Sequence, residues 1–207
     1  MKLEKMGVWL AYIFQLIILI LTILAIYEKR YADIIMGVVA LIITFLPLML
    51  KKRWYVTLPW ILNLLIAASF AFHLGGEIQG FYRLLSPFYD KVGHFLGSVT
   101  VSLLGLALVI IFDKHTKAKL TRIHFIFFII IFTMALGAFW EIGEFLLDVF
   151  TGMKNQPSLE DTMYDIIFNF LGSTFIALLV YTRFEIMKKN IGPKKSPQII
   201  NFKLKNG

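Results

Sequence analysis

Apolar residues along this chain do not alternate, and they are not spaced as a single stripe. They come in blocks of about 20, over residues 9–27, 32–50, 58–74, 91–112, 123–150 and 162–182. A helix of roughly 20 residues, rising about 1.5 Å each, matches the hydrocarbon thickness of a bilayer. The pattern predicts an all-α, polytopic transmembrane helix bundle of about six spans, forming one membrane domain over 1–182. A basic tail, 183–207, follows; Gly192-Pro193 and Pro197 mark it as loosely ordered. The first block follows Lys2 and Lys5, as in a signal peptide. Its apolar core is too long for one and no small-residue cleavage site follows, so it reads as a retained anchor.

Composition sharpens this picture. Of 207 residues, 58% are hydrophobic and 16% charged, well outside the balance of a soluble domain. The absence of cysteine excludes disulfides, thiolate metal sites and thiol nucleophiles. The net charge of +8 reads as topology rather than nucleic-acid binding. With the amino terminus inside, 16 Lys and Arg fall on inner segments and 5 on outer ones: Lys29, Arg30, Arg83, Lys91 and Lys154. Cytoplasmic loops retain such residues, so a cell-membrane protein with both termini cytoplasmic is expected.

Polar positions inside the blocks carry the candidate chemistry. A charged side chain at a helix centre costs roughly 2.5–3.5 kcal/mol on insertion scales. Blocks one and two are almost purely apolar, whereas the later ones are not. Block four opens YDKVGHFLGS, placing Asp90 and His94 four apart on one face. Block five ends GAFWEIGEFLLD, with Glu141, Glu144 and Asp148 on one stripe. Block six opens EDTMYDIIFNFLG, with Asp161, Asp165 and Asn169 at i, i+4 and i+8. His73 ends block three, shortly before Glu77. In an alternating bundle all of these lie at the outer end. Asp90, Asp148 and Asp161 are expected near the interface, solvated or capping; His94, Glu141, Glu144 and Asp165 lie deeper.

This residue set suits a divalent ion such as Zn, Mn or Mg, with His73, Asp90, His94, Glu141, Glu144, Asp161 and Asp165 as candidate ligands. Glu141, Glu144 and Asp165 are the candidate catalytic groups, and Asn169 and Glu77 candidate polar or substrate contacts. Four or more carboxylates in one pocket cannot all stay ionised without cations or protons. Gly93 and Gly97 read as a Gly-x-x-x-Gly helix-packing device, and Gly137, Gly143 and Gly172 similarly. Tyr82, Phe88, Tyr89 and Trp140 suggest an interfacial aromatic belt. The segment FYRLLSPFY suits either a short outer lid or a plain loop.

The succession FYDKVGHF, FWEIGEF and DTMYDIIFNFLGS resembles the YjdF-type inner-membrane proteins and, more distantly, the VanZ-like superfamily, whose namesake is associated with glycopeptide-antibiotic resistance. The match covers Asp90, Lys91, His94, Glu141, Glu144, Asp161, Asp165, Asn169 and Gly172, within about 73–180. Glu144, where VanZ-like proteins often carry Gln, and the additional Asp161 fit the YjdF-type branch. The resemblance implies a shared site across the last four blocks.

Two classes of function suit these residues. One is an enzyme, a metal-dependent hydrolase or transferase, acting on a lipid or lipid-linked substrate at the outer leaflet. The other is a membrane binding or transport protein for a cation, proton or small amphiphile, or a non-catalytic scaffold. Neither His-Glu-x-x-His nor Gly-x-Ser-x-Gly occurs. Membrane lipids are the expected surroundings in either case. For topology, reporter fusions at Lys52, Lys117 and the carboxyl terminus should read cytoplasmic. A cytoplasmic reading at Gly80 or Asn155 would refute six alternating spans.

Overall fold

The structure is a computed structural model that describes residues 2–45, 47, 60–116 and 118–190. Lys51, Lys52, Arg53 and Lys117, the end of the second apolar block and most of the basic tail lie outside them. Among the described residues every element is helical: α1 (Lys2–Tyr27), α2 (Tyr31–Thr44), α3 (Trp60–Gln79), the single turn α4 (Phe81–Leu84), α5 (Phe88–His115), α6 (Arg122–Thr151) and α7 (Leu159–Asn190).

Five of these are long and apolar enough to cross a membrane, and α2 is a shorter apolar helix. Its 14 described residues reach about 21 Å at 1.5 Å each, short of the roughly 30 Å core. Large apolar side chains such as Trp9, Leu16, Ile42, Phe127, Phe139 and Leu178 are exposed along these helices, as a lipid-facing perimeter requires.

Cross-helix contacts give the directions. Gly7 abuts Trp60 and Leu21 approaches Gly75, so α1 and α3 run parallel. Gly37 on Thr22 and Gln15 Nε2 donating to the Thr44 carbonyl set α2 antiparallel to α1. Ser69 pairs with Thr100 while Tyr89 reaches the Phe72 carbonyl, and Ser102 pairs with Thr133 while His94 lies near Glu141, so α5 runs against both α3 and α6. Phe125 packs on Phe184 and Gly137 abuts Asn169, which sets α7 antiparallel to α6. Direction therefore alternates through α1, α2, α3, α5, α6 and α7.

Left-handed glycines punctuate the path where a side chain would be strained. Gly80 (φ 72°) separates α3 from α4, and Gly152 (φ 72°) ends α6. At the other end of α6, Thr121 and His124 form a reciprocal cap. The α7 helix continues past the expected domain boundary at 182, with one non-helical residue at Arg183, and packs as far as the buried Phe184.

The interior is divided along the bundle axis. Leu62 and Ile66 of α3, Leu106 and Ile110 of α5, Phe125 and Ile129 of α6, and Val180 and Phe184 of α7 form one apolar core. These positions are early in α3 and α6 and late in α5 and α7, so the core closes a single end. A smaller cluster, Ile18, Leu21, Ala40, Ala71 and Leu74, joins α1 and α2 to α3.

The glycines do not act alike. A Cβ on Gly172 would meet Ser98 Oγ at 2.0 Å and the Phe95 carbonyl at 2.9 Å, so α5 and α7 touch there almost backbone to backbone. One on Gly137 would meet Asn169 Nδ2 at 2.7 Å. At Gly97 and Gly143 an added Cβ meets nothing within 4 Å. The Gly93–Gly97 pair is therefore not the close-packing device its spacing suggested. Gly172→Ala should lower stability by about 1–3 kcal/mol through overpacking, whereas Gly143→Ala should be neutral or stabilising. Thermal unfolding in mild detergent checks both, and equal midpoints would contradict this account of the α5–α7 contact.

Candidate functional site

The end of the bundle opposite the apolar core holds the polar stripes, and its centre is a lysine. Lys91 is only 6% exposed. Its ammonium lies 2.7 Å from Asp90 Oδ2, 2.6 Å from Asp161 Oδ1 and 2.7 Å from Asp165 Oδ1, using the three donors it has. Asp90 precedes it on α5; Asp161 and Asp165 share one face of α7. The lysine thus ties the first turns of two parallel helices together. Asp90 and Asp161, expected at the interface, are held inward by this contact. Lys91, counted above among the outer topological charges, is part of the interior.

His94 sits one turn deeper on α5 and is buried. Its Nε2 is 3.5 Å from Asp90 Oδ1, 3.4 Å from Asp165 Oδ1 and 3.7 Å from Glu141 Oε1. Donor atoms of Asp90, His94 and Asp165 all lie within 4.8 Å of one another, close enough to surround one ion. Glu141, 5% exposed, comes from α6, and its Oε1 has no hydrogen-bond partner among the described residues. Asn169 adjoins His94 from the next turn of α7.

The connection between α6 and α7 orients Glu141. Asp148 accepts hydrogen bonds from the backbone N–H of Asn155 and Gln156 and from Asn155 Nδ2, at 2.7–2.8 Å. The connection so folded brings Gln156 Nε2 to the Glu141 carbonyl at 2.8 Å and to its Oε2 at 2.9 Å. Asp148 therefore organises the loop rather than joining the site, and Gln156 is a site residue that stripe analysis could not find, because it lies outside every apolar block.

A cavity of about 310 Å³ runs from this cluster into the bundle. His73, Tyr82, Asp90, His94, Trp140 and Glu144 line its polar end; Ile66, Phe70, Val101, Leu104 and Leu136 line the rest, with Gly93 and Gly97 among them. Trp140 Nε1 donates to Glu144 Oε1 at 2.8 Å, and the Trp140 ring meets His73 edge-on at 5.0 Å. Tyr82 Oη is 2.6 Å from His73 Nδ1. Burial, and then the carboxylates of Asp90, Glu77 and Glu144, push the Tyr82 hydroxyl well above its usual pKa, so it stays protonated. Tyr89 donates to the Phe72 carbonyl at 2.7 Å. Three members of the expected aromatic belt thus spend their polar tips on the protein, and only Phe88 stands exposed.

Glu77 does not face this cavity. Its carbonyl accepts from Arg30 Nη2 at 3.0 Å and its carboxylate lies 3.9 Å from the same guanidinium, which also pairs with Asp33. Asp33 is buried in α2, a block that reads as nearly all apolar. Asp90, His94, Glu141, Asp161 and Asp165 are brought together around Lys91 and the His94 ring, while His73, Glu144 and Asn169 line the cavity beside them.

A helical bundle with an apolar perimeter and a charged cluster buried between three of its helices is the architecture of an integral membrane protein. Residues 9–185 match the family of predicted membrane proteins DUF2238, and the chain belongs to that family. It is similar to an uncharacterised protein of Thermotoga maritima, 28% identical over 141 residues, covering 67% of this chain and 71% of that one. No solved structure matches it.

Removing the ammonium would leave three aspartates facing one another. Breaking a buried ion pair by deleting one partner costs about 3–5 kcal/mol. Lys91→Met should therefore lower the unfolding midpoint sharply, and adding Asp161→Asn should restore part of the loss. A Lys91→Met protein as stable as wild type would show that the lysine does not hold α5 to α7.

Proposed function

We propose that this protein takes up a lipid or lipid-linked amphiphile in the cavity between its helices and acts on the head group at the outer leaflet, as a hydrolase or transferase. One observation carries the reading: the cavity is itself amphipathic, its apolar length ending in a cluster of acids and histidines. An acyl or prenyl chain gains by lying against Ile66, Phe70, Val101 and Leu104. The polar head then meets Asp90, His94 and Glu144, with Glu141 and Asp165 within 3.7 Å of the His94 ring nitrogen, groups suited to moving protons. The Asp-Lys-x-x-His and Asp-x-x-x-Asn-x-x-Gly spacings support kinship of this site with the YjdF-type and VanZ-like proteins.

Orientation belongs to the same reading. The charge split favours termini in the cytoplasm, and it sharpens to 16 against 4 once Lys91 is counted as interior. The alternating helix directions are compatible with six crossings, and with the termini inside the acid cluster would lie on the outer side.

Gly97 gives the direct test, since an added side chain there points into free space. Gly97→Ala and Gly97→Leu should fold, and Gly97→Leu should retain at least about fivefold less co-purifying amphiphile, measured by mass spectrometry after detergent exchange. A folded Gly97→Leu protein with unchanged lipid content, or a wild type that retains none, would sink the reading.

A further inference from the structure

We propose that Asp90, His94 and Asp165 form a binding site for one divalent transition-metal ion, of the three-ligand type with an open position, and that Glu141 is the proton acceptor beside it. The proposal deepens the reading of the same cluster above, but it stands on separate observations.

The first is spacing. His94 Nε2 lies 3.5 Å from Asp90 Oδ1 and 3.4 Å from Asp165 Oδ1. These separations are too long for good hydrogen bonds, whose mode is about 2.9–3.0 Å. They are close to the spacing of about 3.3–3.4 Å between ligands that sit 2.0–2.1 Å from a tetrahedral ion. An octahedral magnesium site at the same bond length would set neighbouring ligands only about 3.0 Å apart. One imidazole and two carboxylates at tetrahedral spacing favour zinc over the octahedral ions magnesium and manganese. Binding requires the neutral imidazole with its lone pair on Nε2.

The second observation is an unpartnered atom. Glu141 is 5% exposed, yet among the described residues its Oε1 has no hydrogen-bond partner while reaching within 3.7 Å of the same His94 nitrogen. A buried carboxylate oxygen without a partner is costly. Glu141 stands just outside the three-donor group, so with an ion held there this oxygen would remain free to accept a proton from a bound water. Gln156 fixes the other oxygen of the same carboxylate.

The third is charge. Among the described residues, Lys91 is ion-paired with Asp90, Asp161 and Asp165, while Glu141 lies near His94 and Glu144 lines the adjoining cavity. A dication would offset much of the remainder. Lys91 itself acts as an outer-shell partner, since its bonds to Asp90 Oδ2 and Asp165 Oδ1 hold both carboxylates in place.

The test uses the full chain purified in mild detergent, stripped with chelator and re-equilibrated with zinc, manganese or magnesium. Elemental analysis should find about one zinc ion per chain and less manganese or magnesium, and bound zinc should raise the unfolding midpoint. His94→Ala and the gentler Asp90→Asn should each weaken binding more than about tenfold, while Glu141→Gln should keep the ion. The cobalt-substituted protein should show the intense visible absorption of a tetrahedral centre, which His94→Ala should lose. Wild-type protein without a stoichiometric ion, or an unchanged ion in folded His94→Ala and Asp90→Asn, would overturn the site. Loss of the ion in Glu141→Gln equal to that in His94→Ala would overturn its placement outside the coordination shell. Amphiphile retention is measured on the stripped protein as well, so failure of the metal site and failure of lipid capture are separate results.

Discussion

Three aspartates and one ammonium between two helices, with the ammonium and Asp165 withdrawn from water and Asp90 and Asp161 half-buried, set the terms for the polar end of this protein. In a medium of low dielectric neither sign of charge is tolerable alone, and the pairing is favourable only because Lys91 spends all three donors on carboxylate oxygens. The constraint propagates. Asp161 and Asp165 must lie on one face of α7, and α5 and α7 must run parallel and in register. Gly172 lets the two backbones approach closely enough for a lysine on one to reach both aspartates on the other. Polar contacts at this level of a bundle also act where lipid offers no alternative partner, so they specify the packing as well as stabilise it.

Helix α5 is the hub of this arrangement. One side meets α7 through Lys91, Ser98 and the glycine contact; another meets α6 through Ser102; a third meets α3 through Thr100. Where its neighbours do not close on it, the small residues Gly93 and Gly97 leave room. The same residue type therefore does two opposite things within the last four helices: at 172 it removes a barrier between backbones, and at 97 it leaves a space that no neighbour fills.

Much of this was legible in the sequence because the bilayer makes polar residues expensive. The apolar blocks marked the helices, and the acidic stripes of α5, α6 and α7 marked faces that meet. What could not be read there were properties of pairs. Lys91 resembled any flanking basic residue until Asp161 and Asp165 were placed beside it. Gly97 and Gly172 look identical in a string of letters, since only the neighbouring helix decides whether a missing side chain is an approach or a void. Gln156 lies in a polar connection whose path is set by Asp148, and no periodicity reports on such a loop. Glu77 shared its end of the bundle with the cluster, but Arg30, a residue from the first turn between helices, draws it elsewhere.

The apolar core that closes the other end has a consequence of its own. Leu106, Ile110, Phe125, Ile129 and Val180 are packed with almost no exposure, so the space above them has a floor. The bundle is built as a cup rather than a tube. Whatever enters such a vessel leaves by the way it came, or sideways between helices, and the floor keeps water from running through to the far face. The packing that keeps the helices together is thereby also the insulation, and changes to the chemistry at the rim need not disturb it.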